Sequence, residues 1–559
     1  MCGIIGVFKH GGHANVEIYE GLLMLQHRGQ DSAGMVTTDG TLQAAVCRLP
    51  SAVHPVKTVK TVDPACCSLT RSLAHSLTRW VSLDVVGYKF HEHKANGLVK
   101  DVFDNQELLN TLEGSVGMGH VRYPTAGTAS ASEAQPFFVN SPLGIYLIHN
   151  GNLTNADELR EMLNASTSFF NRHLRTGSDS EVLLNILADE IHRAHQKCLL
   201  DRGCDPNRKK MDMVFDAGEN TMKLLEGAYS CICLVNGVGM VAFRDPHGIR
   251  PLVLGRRTGP NGEEEYCVSS EDCAFGPIGF ERVRDVRPGE MVVITEDGKL
   301  VSKQVHEPKE LSPCVFEYIY LARPDSILND ISVYDFQLGL GTRLAKKIKE
   351  TGWDIDLVCP VPDGSRPSAI QISAEMGLPY REGLVKNRYV GRTFIMANQA
   401  LREMSVRRKL NAMPAVFEGK NVLLVDDSIV RGTTMNQIVK MVRNAGAAKV
   451  YLASASPPVR HPNVYGVDMP SRKEFVANGL SEDEICEVLG ADGLLYQTVE
   501  DLIAVGMELN ADIKRFEASC FNNCYVAGNI DEAYIAALEG KGRGSRPHET
   551  SKKERPIEV

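Results

Sequence analysis

Two places in this chain carry side chains whose types and spacing could do covalent chemistry. The first is Met1-Cys2-Gly3. Loss of the initiator methionine leaves Cys2 at the amino terminus, where its own α-amine can serve as general base for its thiol. The amine titrates at about 8 and the thiol at about 8.5, so proton exchange between them costs little at neutral pH. A thiolate attacks amides well. A cysteine at position two can also just begin a strand, so the reading depends on what else could complete a site. The second place is Asn421-Val422-Leu423-Leu424-Val425-Asp426-Asp427-Ser428-Ile429-Val430-Arg431-Gly432-Thr433-Thr434. Four apolar residues predict a buried parallel strand, and two adjacent carboxylates follow at its carboxyl end, where open α/β sheets bind ligands.

Three segments could surround Cys2. Leu25–Gly34 (LQHRGQDSAG) is turn-rich with a charged centre. Gly119–Gly127 (GHVRYPTAG) places Arg122 just after a strand-like stretch, where a guanidinium can grip a carboxylate with two parallel bonds. His149–Asn155 (HNGNLTN) ends a strand, and an Asn150 amide beside the Gly151 N–H offers two donors to a developing oxyanion. Asp179 can bind an ammonium group, and capping a helix is compatible with that. Near the carboxylate pair, the loop from Ser428 ends in Arg431-Gly432-Thr433-Thr434 at a helix start. Backbone N–H groups and hydroxyls there can cradle a phosphate. Carboxylates for sugar hydroxyls therefore lie beside donors for a phosphate, the requirements of a phosphorylated ribose.

These groups need two kinds of scaffold. Up to about residue 300 the chain has short β-like runs with glycine breaks, among them Ile4–Phe8, Gly144–Ile148, Ser230–Val235, Met240–Phe243 and Glu290–Thr295. They predict a layered α+β domain rich in antiparallel sheet. Helices are expected from Asn155 through ADELREMLN, and from a capping-box pattern at Ser178-Asp179-Ser180-Glu181. After Pro308 strands and helices alternate: Leu338–Glu350 helical, Leu357–Val361 strand, Ser368–Met376 helical, Val422–Val425 strand, Thr434–Ala445 helical, Val450–Ser454 strand. Such alternation predicts a parallel sheet with crossover helices. The expected domains are 2–290, 305–500, a helical segment 501–540 and a disordered tail 541–559, polar with little to bury. An atypical insertion at about 43–89 is rich in Ser, Thr, Val and Leu; it reads as a surface insertion or a retained non-coding stretch.

Composition narrows the classes. With 559 residues and 43% apolar, the chain can build at least two cores. Lys plus Arg is 61 against 70 Asp plus Glu, a net charge of −9, which does not describe a general nucleic-acid binder. No apolar run reaches the roughly 18 residues of a membrane span, and the start lacks a signal-peptide core. The 15 cysteines form no regular disulfide or paired CxxC pattern, so a reducing, cytoplasmic setting is expected.

The segments of the first half, in this order, resemble the N-terminal-nucleophile (Ntn) glutaminase domain of class II glutamine amidotransferases. By that resemblance the fold is αββα-layered and Cys2 is the nucleophile. Asn150 and Gly151 form the oxyanion hole, and Arg28 shapes the site. Gly29, Arg122, Thr125 and Asp179 bind glutamine, with Arg122 on the α-carboxylate and Asp179 on the α-amine. No propeptide precedes Cys2, so methionine removal alone is expected to mature it. The string around Asp426 resembles the phosphoribosyl pyrophosphate signature of type I phosphoribosyltransferases. It implies that Asp426 and Asp427 hold the ribose hydroxyls and Ser428, Ile429, Val430, Arg431, Gly432, Thr433 and Thr434 the 5′-phosphate. Pro360–Arg366 looks like the pyrophosphate loop, with Asp363, Gly364 and Ser365. The segment from Lys386 through Tyr389 and Arg392 to Lys409 resembles a mobile basic catalytic loop. Mg2+ is the implied cofactor, at Asp426, Asp427 and Gly364, although relatives often carry a hydroxyl residue at Gly364.

Both halves in one chain, with Phe316–Ser326 (FEYIYLARPDS) between them, resemble the glutamine phosphoribosylpyrophosphate amidotransferases. The implied reaction moves glutamine-derived ammonia to C1 of phosphoribosyl pyrophosphate. Purine nucleotides as feedback inhibitors and a homotetramer come with it. Some relatives hold a four-iron cluster; here Asn463 replaces one cysteine ligand, so no iron–sulfur cluster is expected. Other class II amidotransferases would lack Val425-Asp426-Asp427-Ser428. A non-enzymatic sensor of phosphoribosyl pyrophosphate could lose Cys2 or the loop lysine, and both are present.

Overall fold

The apolar run Gly3–Phe8 forms the first strand, β1, and every residue in it is buried. The computed structural model that contains it describes residues 2–39, 89–123, 131–164, 172–200, 210–387 and 410–540. In chain order there follow α1 (Asn15–Met24), β2 (Ser32–Thr38), β3 (Phe90–Asn96), β4 (Val116–Arg122), β5 (Phe137–Val139), β6 (Ile145–Leu153), α2 (Ala156–Asn164), α3 (Asp179–Leu200) and α4 (Lys210–Leu224). Then come β7 (Gly227–Val235), β8 (Gly239–Arg244), β9 (Val253–Thr258), β10 (Glu264–Ser269), β11 (Glu281–Asp285), β12 (Glu290–Thr295) and β13 (Leu300–Gln304). Seven strands make one antiparallel sheet, ordered β11-β9-β10-β1-β4-β2-β3, and six make another, β13-β12-β8-β7-β6-β5.

The strand period of two decides the layers. In β1, Ile4 and Phe8 face the other sheet, against Ile148, Ile232 and Met240. Ile5 and Val7 face the opposite way, onto Ile18 and Leu22 of α1. In β7, Ile232 and Leu234 join the inter-sheet core, while Cys231 and Cys233 pack with Leu183 and Leu187 of α3 and Phe215 of α4. The result is the expected helix–sheet–sheet–helix stack.

The second half contributes α5 (Val333–Thr351), β14 (Leu357–Pro360), α6 (Arg366–Met376), β15 (Leu384–Lys386), β16 (Leu410–Ala412), β17 (Asn421–Asp426), α7 (Thr433–Asn444), β18 (Lys449–Ser454), α8 (Glu482–Leu489), β19 (Gly493–Tyr496) and α9 (Val499–Leu509). Strands β14-β17-β18-β19 pair in parallel in that order, as the alternation predicts. The halves share one core: Leu22 and Phe275 from the first pack in the same cluster as Phe316, Tyr318, Phe336 and Phe521 from the second.

Two expectations are corrected. The boundary at 290 falls at the first residue of β12; β13 pairs with β12 out to Gln304, so the first domain closes there. Ser178 accepts a hydrogen bond from the Ser180 N–H (3.3 Å), but Glu181 turns to the Arg175 and Thr176 N–H groups (2.9 and 2.8 Å). The reciprocal capping box is therefore not made. After residue 500 the chain is helical in Val499–Leu509, Ser519–Asn522 and Glu532–Gly540, and Leu502 and Val505 of α9 lie in the shared core. The tail 541–559 and the insertion, apart from residue 89, lie outside the described residues.

β2 and β3 pair in register with Thr38 opposite Phe90. Removing Gln43–Lys89 would leave Asp39-Gly40-Thr41-Leu42, a connection of ordinary hairpin length. Loop length enters stability only logarithmically. The deletion variant is expected to remain folded, with a melting temperature within about 5 °C of the full chain. A larger drop, or loss of the β circular-dichroism signal, would show that the segment supports the sheet.

Candidate functional site

The start of β1 brings Cys2 against the end of β6. The Cys2 backbone nitrogen, a free amine once Met1 is removed, donates to Asn150 Oδ1 at 3.3 Å, and its Sγ lies 4.0 Å from the Tyr123 carbonyl. Asn150 is fully buried and its Nδ2 has no hydrogen-bond partner among the described residues. A buried amide N–H₂ without an acceptor is costly and marks a donor held for something else. Gly151 has φ +151°, and a Cβ there would come within 2.0 Å of the Ala228 carbonyl oxygen, so only glycine fits.

Arg122, the last residue of β4, donates to Asp31 (3.1 Å) and Glu133 (2.5 Å). Its guanidinium is thus aimed by two carboxylates. Asp179, opening α3, accepts from the Leu153 N–H at 3.0 Å and from the Ser180 hydroxyl at 3.3 Å. Behind them His149 has its Nδ1 3.0 Å from Ser180 Oγ. Burial drives the His149 imidazole below its ordinary value against the pull of Asp179 and Cys2. Burial, then the Arg122 charge, lowers His120 to about 3. Both rings are neutral at physiological pH.

Arg28 anchors Cys2 from the other side. Its Nε donates to the Cys2 carbonyl at 3.0 Å, and its terminal nitrogens meet Glu271 and Glu317, the latter at 2.8 and 3.0 Å. Glu317 also pairs with Arg250. Burial pushes the Glu271 carboxyl up, but His27 and Arg28 pull it further down, below the ordinary range. The same balance of burial against Arg28 and Arg250 keeps Glu317 ionised. Gly29 packs so close to Arg122 that a Cβ would stand 2.6 Å from its carbonyl carbon.

In the second half, β17 ends in the carboxylate pair. The Asp427 N–H donates to Asp426 Oδ1 (3.0 Å) and the Ser428 hydroxyl to Asp427 Oδ1 (3.1 Å). Burial, then the charge of Asp427, holds Asp426 well above the ordinary carboxylate range. Burial pushes Asp427 up to about 7, with the Ser428 hydrogen bonds pulling the other way. Gly364 lies against this pair: a Cβ on it would meet Asp427 Oδ2 at 2.1 Å. A hydroxyl side chain at 364 would require the Asp427 carboxylate to turn away, and as glycine the residue offers a ligand its backbone. Asp363 is paired with Arg366 (2.9 Å) and Lys386 (2.6 Å), and Ser365 donates to the Val361 carbonyl at 2.7 Å. At the other side of the pair, Gly432 (φ +71°) turns the chain into α7, whose first turn has no side-chain cap. Its N–H groups are left for an anion. Arg431 pairs with Glu474 at 2.6 Å.

Two clusters are thus assembled, Cys2 with Arg28, Gly29, Arg122, Asn150, Gly151 and Asp179, and Asp363–Ser365 with Lys386 and Asp426–Thr434. Thr125, Tyr389, Arg392 and Lys409 lie outside the described residues. Among the described residues no group of three or more His, Cys, Asp or Glu side chains is placed to hold a metal. The carboxylate pair, whose partners here are neutral donors, suits a Mg2+ that takes its other ligands from substrate and water. Sequence reasoning missed Glu271, Glu317, Arg250 and His149. Glu317 carried a signal, an acid inside the apolar run Val315-Phe316-Glu317-Tyr318-Ile319, which must have a partner if the run is buried.

Comparison with known proteins agrees with this geometry. The family model for the glutamine amidotransferase domain matches residues 120–276, and that for the phosphoribosyl transferase domain matches residues 338–459. The chain is 48% identical to the amidophosphoribosyltransferase of Escherichia coli over 96% of its own length and 95% of that protein. It is 42% identical to that of Schizosaccharomyces pombe, over 96% and 92%. A solved glutamine phosphoribosylpyrophosphate amidotransferase from B. subtilis, complexed with ADP and GMP, superposes with a TM-score of 0.73 at 35% identity, covering 95% of this chain and 98% of that one.

The raised Asp426 and Asp427 values have a consequence for stability. In the unfolded chain both titrate at about 3.9. A folded value above the unfolded one means that the folded state binds more protons, so the pair's contribution is lost as pH rises from about 4 through about 7. The Asp426→Asn, Asp427→Asn protein is expected to melt higher than wild type at pH 8, with the difference shrinking toward pH 5. A wild type that gains on the variant as pH rises would contradict the assignment.

Proposed function

The chain belongs to the amidophosphoribosyltransferase family, and from that premise we propose how its two halves divide the reaction. The protein transfers glutamine-derived ammonia to C1 of 5-phosphoribosyl 1-pyrophosphate. The products are 5-phosphoribosylamine, glutamate and pyrophosphate, and the reaction is the first committed step of purine synthesis.

In the first half, Arg122 and Asp179 grip the α-carboxylate and α-amine of glutamine, with Gly29 and Thr125 beside them. The Cys2 amine takes the thiol proton and the sulfur attacks the side-chain amide carbon. Negative charge develops on the amide oxygen and is met by the Asn150 Nδ2 and the Gly151 N–H. The intermediate collapses when the ammonium of Cys2 returns its proton to the leaving nitrogen. Water then cleaves the thioester to glutamate. Arg28 holds the Cys2 carbonyl throughout, fixing the nucleophile's backbone.

In the second half, Asp426 and Asp427 accept from the ribose hydroxyls, and the loop Ser428–Thr434 holds the 5′-phosphate. Asp363, Gly364, Ser365 and Lys386 meet the diphosphate, with Tyr389, Arg392 and Lys409 completing the basic surround. The carboxylate pair and the Gly364 backbone would hold a Mg2+, which would supply positive charge against the diphosphate. Ammonia displaces the diphosphate at C1. The observation that carries the reading is the buried Asn150 amide, whose oxygen accepts from the Cys2 nitrogen while its Nδ2 has no partner among the described residues.

Control by purine nucleotides and assembly into a homotetramer belong to the same proposal. The nucleotide control is supported by the ADP and GMP in one solved relative and by the description of another as the allosteric regulatory enzyme of purine biosynthesis. A cytoplasmic setting is proposed as well, and no described helix is long and apolar enough to cross a membrane.

Cys2→Ala is expected to abolish synthesis from glutamine and to leave synthesis from free ammonia near wild type. Asp426→Asn with Asp427→Asn is expected to abolish both. Pyrophosphate release with each nitrogen source measures the two outcomes. Loss of the ammonia reaction in folded Cys2→Ala, or its survival in the double variant, would overturn the division of labour.

A further inference from the structure

The oxyanion glycine is touched by the other half of the molecule. Asn152, next to Gly151, donates from Nδ2 to the Val464 carbonyl at 2.9 Å. Gly466 (φ +101°) stacks its backbone against Gly151: a Cβ at 466 would stand 2.9, 3.0 and 3.2 Å from the Gly151 O, C and Cα. On its other side Gly151 is pressed against the Ala228 carbonyl. Its peptide is thus clamped between β7 of its own sheet and a turn from the second half.

That turn is rigid by construction. Asn463 is buried, and its Oδ1 accepts from the Tyr465 and Val467 N–H groups at 2.9 and 3.1 Å. Its N–H donates to the Met469 carbonyl at 2.9 Å. The Tyr465 hydroxyl donates to the Ala527 carbonyl (2.6 Å) and accepts from the Ala527 N–H (2.8 Å), and Arg250 Nη1 donates to the Tyr465 carbonyl at 3.3 Å. Upstream, the chain leaves β18 beside the carboxylate pair, where the Ala455 N–H donates to the Asp426 carbonyl at 2.9 Å. One short stretch thus connects the backbone of the ribose-binding strand end to the backbone of the oxyanion hole.

We propose that the turn Asn463–Val467 positions the oxyanion hole, the Gly466 backbone setting where the Gly151 N–H stands. This rests on the reading of Gly151 as an oxyanion donor. Gly466 and Tyr465 are positioning residues: neither touches Cys2 or the glutamine-gripping Arg122 and Asp179. A donor needs to be in place where charge develops, and displacement of reacting groups by about 1 Å costs up to about a hundredfold in rate. Glutamine affinity, governed by the grip on its α-carboxylate and α-amine, should be spared.

The test measures kcat and KM for glutamine, and ammonia-dependent synthesis, in Gly466→Ala, Tyr465→Phe and Asn150→Ala. In Gly466→Ala the glutamine-dependent kcat is expected to fall about tenfold to a hundredfold. The glutamine KM should stay within about twofold and the ammonia reaction should match wild type. Tyr465→Phe, which keeps the ring and loses only the hydroxyl clamp, should show the same pattern more weakly and decides the matter if Gly466→Ala does not fold. Wild-type glutamine turnover in Gly466→Ala overturns the proposal, as does a loss in Tyr465→Phe that is equal in both reactions or confined to KM. Asn150→Ala separates this from the site reading. If it alone is inactive with glutamine, the site stands and the turn does not matter; if it is fully active, the oxyanion assignment itself has failed.

Discussion

Two guanidinium groups and two carboxylates, Arg28, Arg250, Glu271 and Glu317, are sealed together between the halves of the molecule, and the placement of Cys2 depends on them. Moving such charges out of water costs several kcal/mol per ion, and attraction offsets this only where geometry and further hydrogen bonds are good. They are good here. Glu271 also accepts from His27 (2.8 Å), the Arg323 N–H (3.0 Å) and the Ser326 hydroxyl (2.7 Å). Removing one member would leave a buried charge uncompensated, at about 3–5 kcal/mol. An apolar replacement of the whole cluster would pack as stably, so registry is the stronger argument for it. Arg28 holds the Cys2 carbonyl, Glu317 holds Arg28, and Glu317 comes from the segment that leads into the second half. The nucleophile's position is therefore set from the domain that does not contain it.

The carboxylate pair makes the opposite use of burial. Among the described residues Asp426 and Asp427 have no cation as a hydrogen-bond partner, and both are held above the ordinary acid range. Left alone they weaken the fold at neutral pH. They persist because β17 is fully embedded: Val422–Val425 are buried, with β14 and β18 on either side. A rigid strand keeps an unfavourable pair in place until a ligand with hydroxyls and a cation relieves it.

How much of this was legible in the sequence follows from the range of each interaction. Three of the four strands of the parallel sheet were found to within a residue or two because a buried strand writes a continuous apolar run; β19, whose Gly493-Leu494-Leu495-Tyr496 is too short and only partly buried, was not. Asp426, Asp427 and the loop leading into α7 could be singled out together because they are adjacent in the sequence. β6 was cut short at Ile148, since Asn150-Gly151-Asn152 is turn-forming by composition; pairing with Ala228–Ser230 of β7 overrides that preference. Arg28 was singled out, but not its partners, which lie 243 and 289 positions away. No periodicity reports contacts at that separation. The Ser178 box failed for a related reason: Glu181 had a better offer from the loop before it.

The shared core also limits how the two sites can communicate. Phe316, Tyr318, Phe336 and Phe521 pack with Leu22 and Phe275 in one apolar cluster. An interface of that kind, crossed by a buried charge cluster, does not hinge as a small polar one does. Ammonia released at Cys2 remains a nucleophile only while unprotonated, which favours transfer away from bulk water, and a dry interface serves that requirement. What a ligand can change cheaply is local. Lys386 and Asp363 form a half-exposed ion pair at 2.6 Å, and such pairs are worth about 0–1 kcal/mol. A diphosphate bound at the Pro360–Arg366 loop, as proposed, would carry more charge than Asp363 and could take Lys386 from it at little expense. On that reading substrate arrival would begin as an exchange of ion-pair partners at the end of β15, on a core that the two halves share.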